Sequence, residues 1–173
     1  MTLPGFFRPT QQWDLVVVFE GNLLTSIECK ALCGPSFGNN FNNRVEEALG
    51  ISTDIWTAYR EGVLGNSLKP FLGYVLLLED AAGSTKPVNV LEKHFRVSEE
   101  FCGASYIDRC EESLRRFMKE RCYDAVALIC SQKKSGSRGV FNEPSKDISF
   151  RRFAMLITGQ VVASYNAIKD EID

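Results

Sequence analysis

At 173 residues, 45% of them apolar and 24% charged, the chain has the length of one domain (1–173) and enough apolar material for a sizeable core. Its formal charge of −2 gives no bulk attraction for nucleic acid, so any phosphate-binding surface has to be a local patch. No run reaches the length of a membrane span, and no charged-then-apolar leader opens the chain. Six cysteines, at 29, 33, 102, 110, 122 and 130, form no CxxC, and the lone His94 cannot complete a Cys/His zinc pattern. Reduced, mostly buried thiols in a cytoplasmic protein are expected.

Residues 1–12, MTLPGFFRPTQQ, are too short and too Pro-interrupted for a helix and a strand. Two apolar runs follow, Leu15–Phe19 and Leu23–Ile27, with Glu20-Gly21-Asn22 between them. They read as a β-hairpin with both strands buried on both faces. Its open end carries Asp14 on one strand and Glu28 and Lys30 on the other. A two-residue turn at Gly21-Asn22 would pair Asp14 with Cys29 and point the charges apart. A three-residue loop, with Asn22 in the left-handed position, pairs Asp14 with Glu28; that loop, or an equivalent bulge, is the expectation. Two carboxylates beside a lysine suit a hard cation such as Mg²⁺, which takes oxygen ligands and lowers the pKa of a bound water. The plain alternative is a strand-end ion pair of Lys30 with Asp14 or Glu28.

Ala31–Phe41 reads as a Gly/Asn-rich loop. Its amides, with Arg44, suit contacts to bases or DNA backbone, or a turn that caps the next helix. The helix is expected over Asn43–Glu61, with Val45, Ala48, Leu49, Ser52, Ile55, Trp56 and Tyr59 inward, Glu46 and Glu47 in its first turn, and Gly62 ending it. Trp56 and Tyr59 therefore read as core rather than base-stacking residues. Phe71–Leu78 is a buried strand ending in Glu79-Asp80. Residues 81–103 look irregular and hold His94, which nothing pairs with. A helix over Tyr106–Arg121, a strand over Tyr123–Ser131 and a helix over Ser149–Ile168, capped by Asp147 or Ser149, complete a mixed α/β pattern. The last helix carries a stripe of Phe153, Leu156, Ile157, Gln160, Val161, Ser164 and Ile168, fit either to close the core or to meet a second subunit. The basic Gln132–Arg138 segment, with Lys133, Lys134 and Arg138, suits DNA phosphates or is simply a solvated loop tip.

The spacing D-x13-E-x-K is similar to the signature of the PD-(D/E)xK nuclease superfamily. GPSFGNNFNNR (34–44) and DIWTAYREG (54–62) closely resemble the XhoI-type family of Type II restriction endonucleases. FLGYVLLLED (71–80), FCGASYIDRCE (101–111), YDAVALIC (123–130) and DISFRRF (147–153) follow it more loosely, so most of the chain is covered. The resemblance implies an α/β, restriction-endonuclease-like mixed sheet flanked by helices. Members have a longer N-terminal part, so the chain reads as shortened, lacking the first helix and strand. The implied activity is Mg²⁺-dependent, site-specific hydrolysis of duplex DNA at a palindrome, CTCGAG, leaving 5′-phosphates. Asp14, Glu28 and the backbone carbonyl of Cys29 would bind the metal, and Lys30 would orient or activate the attacking water. DNA contact by Asn39, Asn40, Asn42, Asn43 and Arg44, a homodimer, and a cognate DNA methyltransferase as genetic partner are implied as well. ECK-ALC departs from the family, whose members tend to have an aromatic or aliphatic residue before the lysine and Ser-Gln after it. The alternatives are an inactive remnant that at most binds DNA, and a nuclease of the same fold working in repair or element defence.

Overall fold

A computed structural model describes residues 1–92 and 94–172. The segment ahead of the main sheet holds regular structure after all. β1 (Thr2–Pro4) and β2 (Thr10–Gln12) pair antiparallel, with Leu3 opposite Gln11. Residues 1–12, expected to be too short for a helix and a strand, hold two three-residue strands and no helix. Prolines suit this place, because they sit at the end of a strand and in its turn, where no ladder donor is needed.

β3 (Leu15–Phe19) and β4 (Asn22–Leu32) form the expected hairpin. Its turn differs from expectation. Glu20 (φ 46°) and Gly21 (φ 74°) take the left-handed positions of a two-residue turn, and Phe19 pairs with Asn22. Two left-handed residues give the turn whose twist matches a hairpin. Asn22 instead brackets the turn: its amide donates to the Glu20 carbonyl at 3.1 Å and accepts from the Leu68 N–H at 2.8 Å. The anticipated bulge is present. Val18 pairs with Leu23 but Val17 with Thr25, so Leu24 is the extra residue. From there the ladder runs Val16–Ser26 and Leu15–Ile27.

α1 (Phe37–Arg60) starts six residues before the expected Asn43. The Gly/Asn-rich stretch is therefore the end of β4, a short connection and the first turns of a helix. Burial decides against local propensity here. Phe37 is 7% exposed and Phe41 packs on the same core one turn later. Phe37 sits where a Cβ on Gly34 or Gly83 would come within 2.8 Å of its ring, so both positions need glycine. The inward stripe holds for Val45, Ala48, Ser52, Ile55, Trp56 and Tyr59, but Leu49 is 41% exposed. Ile51, Asp54, Thr57 and Ala58 complete the buried face. Trp56 donates its indole N–H to the Cys122 carbonyl at 2.9 Å, a packing role. Gly62 (φ 74°) follows the helix as anticipated.

β5 (Phe71–Glu79) runs parallel to β4. A short α2 (Ala82–Thr85) and a 3₁₀ turn (Glu99–Phe101) punctuate the irregular region, and His94 is exposed. α3 (Tyr106–Lys119) opens on a Ser105/Asp108 capping box. β6 (Ala125–Ser131) runs parallel to β5, giving the order β3-β4-β5-β6. The basic segment expected as a loop is a short helix, α4 (Lys133–Gly136). α5 (Phe150–Ile172) follows, with the Ser149 hydroxyl accepting the Arg152 N–H at 3.3 Å. This mixed sheet flanked by helices is the architecture that the resemblance implies.

Two cores cover the sheet. One holds Leu32, Ile55, Leu72, Tyr74, Leu78, Leu114, Phe117, Tyr123 and Leu128 beneath α1 and α3; the other holds Ile27, Val75, Ala125, Ala127 and Phe153 beneath α5. The stripe on α5 thus closes the core, except for Leu156, which is 39% exposed. β3 is an edge strand with Leu15 and Val18 exposed, so its burial on both faces is not observed. All six cysteines are free, but only Cys110 and Cys130 are buried, fewer than expected.

Candidate active site

The bulge at Leu24 sets the site. The recorded ladder ends at Leu15–Ile27; one further step in the same register would set Asp14 opposite Glu28. Asp14 is exposed, and its Oδ2 accepts the Cys29 N–H at 2.7 Å, which fastens it to β4. Ser26, Glu28, Lys30 and Leu32 alternate onto the face covered by α1 and α3. Glu28 is 2% exposed and accepts a hydrogen bond from Lys30 Nζ. That contact is also the ion pair anticipated as the plain alternative.

Burial pushes the Glu28 carboxyl above its ordinary range; Lys30 pulls it down, and Asp14 and Glu47 push it up again. Glu47 was expected in the first turn of α1 together with Glu46. Because the helix begins early, both lie in its third turn, and none of the first-turn residues is acidic. Arg44 holds Glu47 through a 3.0 Å ion pair. A cleft of about 660 Å³ opens here, lined by Arg8, Gln11, Lys30, Arg44, Glu46, Glu47, Gly50 and Ile51.

Several buried polar atoms are unmet, and one of them belongs to Glu28. Among the described residues, six buried side-chain polar atoms lack a partner, and five of them are Trp13 Nε1, Ser26 Oγ, Glu28 Oε2, Arg44 Nε and the Tyr74 hydroxyl. Trp13 precedes Asp14, Ser26 shares the face of Glu28, and Tyr74 is its ladder partner. Native interiors seldom leave such atoms unmet unless water, an ion or chemistry uses them. A buried carboxylate oxygen with no donor, next to a second carboxylate, fits a hard divalent cation that keeps several waters. Among the described residues, no group of three or more His, Cys, Asp or Glu side chains is placed to hold a metal ion, so protein carboxylates would supply at most two of its ligands.

The other anticipated residues divide. Arg44 reaches the cleft. Asn39, Asn42 and Asn43 are exposed on the first turns of α1, whereas Asn40 donates to the Cys33 carbonyl at 2.8 Å and holds the connection to β4. Lys133, Lys134 and Arg138 are exposed beyond the end of β6 and do not line the cleft; Lys133 lies 3.7 Å from Glu79. Glu79, at the end of β5, also accepts the Gly34 N–H at 2.9 Å. Arg8 and Gln11 were missed because residues 1–12 show no periodicity that would place them against α1.

The profile of the family Restriction endonuclease XhoI matches residues 1–143. The chain is 49% identical over 156 residues to the Type II restriction enzyme BstVI of Geobacillus stearothermophilus, covering 87% of this chain and 70% of that protein. Over 119 residues it is 50% identical to the Type II restriction enzyme XhoI of Xanthomonas vasicola, covering 68% and 48% respectively. Over 98 residues it is 53% identical to the Type II restriction enzyme AbrI of Azospirillum brasilense, covering 57% and 44%. The chain thus spans about half the length of two of these three relatives. No solved structure matches it. The profile match takes in the hairpin, the cleft and the whole of the sheet, and the chain belongs to the XhoI restriction endonuclease family.

Proposed function

We propose that this protein is a Type II restriction endonuclease that hydrolyses phosphodiester bonds of duplex DNA at a palindrome, with Mg²⁺ as cofactor, leaving 5′-phosphates. One observation supports the reading: Asp14 accepts the N–H of Cys29, the residue between Glu28 and Lys30, Glu28 keeps a buried carboxylate oxygen without a partner, and Lys30 lines an open cleft. Asp14, Glu28 and the Cys29 carbonyl would hold Mg²⁺, which when bound supplies a water of lowered pKa and offsets phosphoryl charge. Lys30 orients the attacking water and holds the scissile phosphate, and its pairing with Glu28 aims the ammonium at that place. Attack in line with the 3′ oxygen leaves a 3′-hydroxyl and a 5′-phosphate. The hydrogen bond donated by the Cys29 N–H to Asp14 Oδ2 keeps the exposed carboxylate from swinging into solvent.

The relatives' names support restriction as the role, with CTCGAG as the proposed target and a cognate DNA methyltransferase protecting host DNA in the same cytoplasm. A two-fold target suits a homodimer, and Met155 and Val162, 67% and 52% exposed on α5, are apolar surface open to a second subunit. The test is a digest of a plasmid holding CTCGAG, with Mg²⁺ and with EDTA. Cuts at that sequence that stop in EDTA are expected; a plasmid left intact in Mg²⁺ by the folded chain refutes the reading.

A further inference from the structure

The turn between β1 and β2 is fastened to α1 by a single buried carboxylate. Asp54, whose side chain is 3% exposed, accepts the N–H groups of Phe6 and Phe7 at 2.8 Å each and Arg8 Nε at 3.0 Å. The fit is close: a Cβ at Gly5 would lie 2.5 Å from Asp54 Oδ2. So tight an anchor does not match an idle surface turn. Its consequence is the placement of Arg8, which lines the same cleft as Lys30 and Arg44. Among the described residues only the Nε of Arg8 takes a partner, and the side chain is 45% exposed. The bond at Nε fixes the plane of the guanidinium and leaves its two terminal amino groups to the cleft. An arginine held in this way presents the two-pronged donor that matches a phosphate.

We infer that Arg8 grips a backbone phosphate of duplex DNA lying in the cleft, and that Asp54 is the positioning residue that aims it. The inference rests on the nuclease reading above and adds to it a contact from outside the sheet. A phosphate contact gives affinity and salt sensitivity but no sequence preference. Neutralising one phosphate steepens the dependence of log K on log salt by about 0.9.

The test is binding of the full chain, in EDTA, to two labelled duplexes, one holding CTCGAG and one scrambled, across a range of salt. Arg8→Gln is expected to weaken both complexes roughly tenfold and to make the salt slope shallower by about 1. Arg8→Lys keeps the slope and recovers part of the affinity, because charge remains but the fork is lost. Asp54→Asn retains an oxygen for the two amides and withdraws the charge that holds Arg8; it should reproduce the Arg8→Gln affinity loss, and the double variant should be no worse than either. An unchanged slope in a folded Arg8→Gln protein, with the parent binding in a salt-dependent way, overturns the Arg8 contact alone. Additive losses in the double variant overturn the positioning role of Asp54. If the parent binds neither duplex, the nuclease reading fails and takes this inference with it.

Discussion

Replacing Asp54 with alanine removes the carboxylate that fastens residues 6–8 to α1. Two backbone amides and one guanidinium lose their acceptor. Bonds to a charged group contribute about 1.5–3 kcal/mol each when fully buried, but these donors sit in a surface turn and regain some water, so about 1–1.5 kcal/mol per amide is the better figure. Arg8 is 45% exposed, and its share falls to the range of a surface pair, under about 1 kcal/mol. The expected loss is about 3 kcal/mol near neutral pH, a fall in Tm of roughly 6–12 °C for a chain of this size. Urea unfolding and thermal melts measure both. Acid supplies a second arm. Burial acts to raise the Asp54 carboxyl, but the amides of Phe7 and Phe6 and the Arg8 charge outweigh it and hold it below its ordinary 3.8. A carboxyl with a depressed folded pKa stabilises above the unfolded value and loses that stabilisation as pH falls through the folded one. The gap between parent and variant should therefore be constant above about pH 5 and narrow below 3.8. A loss under about 1 kcal/mol near neutral pH, or a gap indifferent to acid, would refute the reasoning.

Further outcomes are expected at the site and in the core. Asp14→Asn, Glu28→Gln and Lys30→Ala should each lower the cleavage rate by at least roughly 10²–10³, read in single-turnover digests; near-parental cutting by Lys30→Ala removes that residue from the chemistry. The Glu28 carboxyl is raised, chiefly by burial, so its ionised form opposes folding once pH climbs through the folded pKa above 4.5. Glu28→Gln should hold or increase Tm at neutral pH while abolishing activity, and a drop of several degrees would contradict that account. Gly73→Ala should cost about 1–3 kcal/mol by overpacking, because its Cβ would meet the Phe153 ring at 2.9 Å and Ile157 at 3.1 Å; denaturant midpoints report it. Tyr123→Phe removes a buried 2.9 Å bond to the Ala48 carbonyl and should cost about 1 kcal/mol by the same measurement.

Period-two runs and a turn signal were enough to place the hairpin, and parity alone demanded either an odd loop or a bulge to unite Asp14 with Glu28. The chain chose the bulge at Leu24, since the left-handed freedom of Gly21 makes the two-residue turn cheap and Asn22 serves better as a bracket. Apolar spacing likewise placed β5, α3, β6 and α5, whose patterns answer to burial on a sheet. What the tertiary structure alone decided were the places where local preference and packing disagree. The Asn-rich stretch has poor helix propensity, yet it is helical because Phe37 and Phe41 must reach the core; Arg44 and Glu47 of the same helix line the cleft. Residues 1–12 have no periodicity to read; the buried Leu3 and the buried Asp54, forty-odd positions from the turn that it holds, give them a place, and Asp54 fixes Arg8. Local order follows from the pattern of side chains along the chain, whereas a long-range carboxylate or a buried ring acts through contacts that no window of sequence contains.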